Sequence, residues 1–150
     1  MPGGGGNDWA YGCYISGTWQ LNGGTPQEID QEGNHWEMSA TENLDASLTV
    51  TNTWTWVGTG SAPATLDIAS FTDSSSAYGA GVTSCDLYAG TYWSWPGSYS
   101  GACPKTVTGG GSGGLDLAVV SGVASLQYGV TLKAHVSGSG TPSTSVSYTA

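Results

Sequence analysis

Between Ser47 and Val57 the chain alternates without a break. Leu48, Val50, Asn52, Trp54 and Trp56 take every second position, and Ser47, Thr49, Thr51, Thr53 and Thr55 take those between. Successive side chains of an extended backbone point to opposite faces, so this period of two predicts a strand with one buried and one wet face. The same rhythm recurs where Val130, Leu132, Ala134 and Val136 interleave with Thr131, Lys133, His135 and Ser137, and again at Val146 and Tyr148 among Ser and Thr. Shorter runs bounded by Gly, Pro, Asn or Ser fit at Tyr11–Ile15, Thr18–Leu21, His35–Ala40, Leu66–Phe71, Leu115–Val120 and Val123–Tyr128. Thr41–Asp45 contains good capping residues but is too short to hold a helix. The pattern predicts an all-β protein of about eight or nine short strands with Gly-rich loops. An antiparallel β-sandwich of immunoglobulin-like or jelly-roll type is expected ahead of a closed barrel.

Composition sharpens this picture. The chain has 150 residues, one domain's worth. Charged residues are 9% and Gly numbers 25, so the usual stock of surface helices is missing. Seven Trp and eight Tyr supply the apolar area that a low-charge, Gly/Ser/Thr-rich chain needs to fold. Glycine runs mark two stretches as flexible: an N-terminal arm, residues 1–8, and a loop at 108–114. The 36 residues after that loop are too few for a core of their own, so residues 9–150 are expected to form a single sandwich domain.

Eleven carboxylates stand against Lys105 and Lys133, with no arginine, for a formal charge of −9. Nucleic acid and anionic membranes both require Lys/Arg to neutralise phosphate, and neither is expected as a partner. The opening Met1-Pro2-Gly3-Gly4-Gly5-Gly6 has neither the basic nor the apolar part of a signal peptide, so export is not expected. Cys13, Cys85 and Cys103 include no CxxC pair and do not suggest zinc. Cys85 and Cys103 can close a disulfide loop in an oxidising compartment; the three cysteines can equally be small buried hydrophobes.

Several catalytic signals dissolve on inspection. Gly110-Gly111-Ser112-Gly113-Gly114 matches G-x-S-x-G, but the serine lies in a glycine run instead of between a strand and a helix. Glu28, Asp30 and Glu32 echo the start of a calcium loop. Ser39 stands where the bidentate glutamate would be, leaving only a non-EF-hand calcium site in a loop as an option beside a plain solvated acidic loop. Carboxylates are available for glycosidase chemistry, but nothing in the sequence pairs them across a cleft, and His35 and His135 have no motif around them. Neither an enzyme nor a cofactor is expected.

The aromatic residues carry the remaining signal. Trp54 and Trp56 share a strand face about 7 Å apart and continue the Leu48/Val50 row, which assigns them to the core. Trp93 and Trp95 repeat the spacing in a Tyr/Gly-rich stretch that can face a partner. Trp9, Tyr11, Tyr14, Tyr92, Trp93, Trp95 and Tyr99 are therefore the expected contact residues. The class expected is a structural or assembly protein that binds other subunits, itself included. Its most concrete form is a small head-decoration or tail protein on the surface of a bacterial virus particle. The alternative is an extracellular carbohydrate-binding module that stacks neutral glycans on Trp and Tyr.

Overall fold

The computed structural model describes residues 8–91 and 96–150, with backbone alone at 68–70 and 111–115. Among the described residues there are ten strands: β1 (Trp9–Leu21), β2 (Gln27–Glu32), β3 (His35–Ala40), β4 (Leu44–Trp56), β5 (Thr65–Tyr78), β6 (Val82–Thr91), β7 (Gly97–Gly101), β8 (Lys105–Ala118), β9 (Val123–Gly138) and β10 (Ser143–Thr149). They form a six-stranded sheet in the order β2-β1-β4-β9-β6-β7 and a four-stranded sheet in the order β3-β10-β5-β8. Every pairing is antiparallel, and the architecture is an all-β sandwich.

The alternation of β4 does what its period requires. Leu44, Ala46, Leu48 and Val50 are all at most 4% exposed, whereas Ser47 lies in water. Register extends this row across the sheet: Ile15, Val50 and Tyr128 align on β1, β4 and β9, as do Leu48, Val130 and Thr91 on β4, β9 and β6. The smaller sheet returns Phe71, Ala77, Val107, Val146 and Tyr148 to the same interior. Phe71, Tyr128 and Tyr148 form a three-ring cluster, the Phe71 centroid 5.7 and 6.4 Å from those of Tyr128 and Tyr148, and the two tyrosine hydroxyls hydrogen-bond to each other.

Two connections are tight turns of mirror-image type. Asn22-Gly23 and Ser121-Gly122 each hold two successive positive φ angles, closed by Gly24 N–H to Leu21 C=O and Val123 N–H to Val120 C=O. That turn matches the right-handed twist of the strands it joins. Cys85 and Cys103 are joined by a disulfide with Cα atoms 5.7 Å apart, while Cys13 is free and buried.

Several expectations need correction. The glycine stretch at 108–114 is not a loop: it lies within β8 and pairs with β5, with Thr108 opposite Ser74, Gly109 opposite Asp73 and Gly111 opposite Phe71. The acidic segment 28–32 is not a loop either, because β2 takes Ile29 into the core and pairs with β1. The runs 11–15 and 18–21 are one strand, β5 continues past Phe71 to Tyr78, and β8 stops at Ala118. The arm expected at 1–8 falls outside the described residues except for Asp8, whose carbonyl accepts from Val57 N–H.

Two outcomes check this packing. Leu48→Ala should destabilise the protein by about 2–5 kcal/mol in urea unfolding, whereas Ser47→Ala next to it should stay within about 0.5 kcal/mol. Cys103→Ser should lower the unfolding free energy by roughly 3 kcal/mol if loop entropy governs the bridge.

Candidate interaction surface

Register gathers Trp9 and Tyr11 of β1 with Trp54 and Trp56 of β4 at one end of the sandwich. Trp9 pairs with Trp56 and Tyr11 with Trp54. The Trp9 and Trp56 rings meet edge to face with centroids 5.2 Å apart, and Tyr11 and Trp54 lie 5.3 Å apart. Leu66, Leu117 and Ala124 complete this second cluster. Trp9, expected as a contact residue, is 7% exposed and packs within the core of the chain. Trp54 is buried as expected, although its indole N–H has no hydrogen-bond partner among the described residues.

Tyr11 donates a 2.6 Å hydrogen bond to Oδ1 of the buried Asn52. Burial pushes its phenol pKa well above the ordinary value, and burial likewise raises the Cys13 thiol, which leaves that cysteine inert. Both residues serve the interior of the sheet.

The same end carries the apolar exposure that the sequence reading missed. Val57 is 60% exposed, Val120 70% and Val123 37%. Hydrogen bonds hold them in one neighbourhood: Trp56 N–H to Gly122 C=O at 2.7 Å, Val57 N–H to Asp8 C=O at 2.8 Å, and a short bridge between Val120 and Val123. The available signal was three valines in turn-forming company, at Val57-Gly58 and in Val120-Ser121-Gly122-Val123.

Tyr14 lies elsewhere, in a shallow groove of about 280 Å³ on β1 and β2 lined by Tyr14, Ser16, Thr18, Glu28, Ile29 and Asp30. It donates its hydroxyl to Asp30, and this bond to a carboxylate is the main cause that raises the phenol pKa. Glu28, Asp30 and Glu32 follow one another on the exposed face of β2, spaced along the strand by its pleat. Among the described residues, no group of three or more His, Cys, Asp or Glu is arranged to hold a metal ion.

Tyr99 sits on β7, near the opposite edge of the six-stranded sheet from Tyr14. Its hydroxyl donates to Ala102 C=O at 2.8 Å, and Lys105 Nζ lies 4.7 Å from its ring centroid. The structure therefore does not bring Tyr14 and Tyr99 onto one surface, and Tyr92, Trp93 and Trp95 lie outside the described residues.

The outer face of the larger sheet is polar. The Thr row of β4 borders an ion pair of Lys133 with Asp86 at 2.9 Å and a contact of His135 Nε2 with Asp45 at 2.8 Å. The bond from Lys133 holds the Asp86 carboxyl below its ordinary range. Comparison with protein-family models, curated proteins and solved structures finds no match, so the sandwich and its surface chemistry alone support a functional reading.

The Tyr14–Asp30 contact is open to a direct check. Asp30→Asn removes the charged acceptor, so the phenol should return toward 10 and one late step in the alkaline phenolate absorbance should move to lower pH.

Proposed function

We propose that this chain is a non-enzymatic structural protein that assembles with other protein subunits. Its most concrete form is a small surface protein of a bacterial virus particle, in the head-decoration or tail class. The observation that carries the reading is the apolar end: Val57, Val120 and Val123, three of the four large apolar side chains exposed among the described residues, stand in water above a Trp-rich cluster, with Tyr78 the fourth. Apolar groups exposed together at one place on a surface suit a protein interface, and Trp and Tyr beneath them give it a stiff floor. The formal charge of −9 keeps free copies apart and soluble until a specific contact forms.

The alternative is a carbohydrate-binding module. The groove on β1 and β2 favours it, since an aromatic ring, hydroxyls and carboxylates line one shallow cleft, and neutral sugars need that combination of a flat apolar face and hydrogen-bond acceptors.

Light scattering over a concentration series, on the wild type and on a Val57→Asp, Val120→Asp double variant, tests the choice. A trimer or larger assembly that falls back to monomer in the variant supports the assembly reading. A strict monomer in both, together with retention on a neutral polysaccharide column that Tyr14→Ala abolishes, would transfer the function to the groove.

A further inference from the structure

The interior-facing row of β5 includes Phe71, Asp73, Ser75 and Ala77, and two of these four are polar. Ser75 is satisfied, donating to the Tyr88 carbonyl at 2.7 Å. Asp73 is not. It is 1% exposed, and among the described residues no hydrogen bond of good geometry reaches either carboxylate oxygen; only the backbone amides of Asp73 itself and Gly109 approach it.

Among the described residues, the groups that surround it offer no positive charge. Within its own sheet Asp73 stands opposite Tyr148 of β10 on one side and Gly109 of β8 on the other. Across the sandwich, β5 packs on β6 and β9, whose buried residues there include Ala89, Thr91, Tyr128 and Val130. Tyr128 and Tyr148 are the titratable groups among these, and their hydroxyls are bonded to each other. Lys133 and His135 of β9 project to the outer face, where they meet Asp86 and Asp45, and Lys105 of β8 lies over Tyr99.

Close approach of backbone aggravates the problem. A Cβ on Gly109 would overlap the carbonyl oxygen of Ala89 on β6 and would also crowd Oδ1 of Asp73, so both oxygens bear on the space that glycine leaves open. An ionised carboxylate there shares a crowded, dry space with a carbonyl oxygen of like partial charge, whereas a protonated one carries a donor of its own.

From this unpartnered burial we infer that the folded sandwich holds Asp73 as the neutral acid, and that ionisation of this carboxyl weakens the β5–β8 ladder, making the fold strongest in mildly acidic surroundings. Burial is the main cause acting on the group. The amides of Asp73 and Gly109 oppose it only in part, and the pKa rises from 3.8 to about 6. A folded-state pKa above the unfolded one means that the folded state binds the proton more tightly. The added stability is complete below about pH 4 and is lost as the pH climbs through about 6. The rise corresponds to on the order of 100-fold in the folded-to-unfolded ratio.

The test is urea unfolding from pH 4 to 8 on the wild type and on Asp73→Asn, which keeps the shape and mimics the neutral acid. Surface carboxylates repel one another in both proteins, so the difference between the two curves isolates Asp73. The wild type should lose on the order of 100-fold in folded-to-unfolded ratio, relative to the variant, between about pH 4 and 7. Parallel curves would overturn the inference. A second measurement needs no variant to fold: in a carboxyl-carbon NMR titration of the wild type, one of the seven aspartates should titrate near pH 6. All seven titrating near 4 would overturn it too.

Discussion

The structure depends on the closure of one sheet over the other. A chain with so much Gly, Ser and Thr loses more backbone freedom on folding than most and has fewer large side chains to offset it. The interior must therefore be assembled from a few rows in strict register. Ile15, Leu48, Val50, Val130 and Leu132 on one side and Phe71, Val146 and Tyr148 on the other supply most of its bulk. A slip of one residue in β4 would expose Leu48 and Val50 and bury Thr49 and Thr51, so the pairing of β4 with β1 and β9 is specified over its whole length.

That constraint divides the surface. The outer face of the larger sheet is left to Thr, Ser and scattered charge, and the edge strand β2 carries Glu28, Asp30 and Glu32 on its exposed face, which discourages another strand from pairing there. At the end where β4 runs out and β8 turns into β9 the apolar residues exceed what the interior can take, and there Val57, Val120 and Val123 stand in water. The aromatic cluster below them is fixed by the same β1–β4 register that builds the main core, so the floor of this end is set by strand pairing.

The small sheet meets the large one differently. β8 reaches the backbone of β6 closely enough at Gly109 to exclude a side chain, and the acid opposite it on β5 is closed off from solvent with no counter-charge among the described residues. A glycine-rich strand and a buried carboxyl are thus two sides of one close approach.

The sequence by itself determined the fold class, the inward row of β4, the bounds of β3 and the burial of Trp54, because period two in side-chain polarity is a local property that burial must obey. It did not disclose β2, where Ile29 is the lone buried residue among carboxylates and amides, or the second half of β5, where Asp73 and Ser75 occupy interior positions. Nor did it disclose β6 and β7, whose inward residues are mostly small, or β8, where glycine looks like coil until a partner strand and a facing backbone require it. Of the expected contact residues, Trp9 proved to be interior, and Tyr14 and Tyr99 were set far apart on the sheet. Only the tertiary structure decided these points, because strand order, the approach of β8 to β6 and the exposure of three valines arise from which segments pack together. Pairing across dozens of residues of chain leaves no mark in the local period.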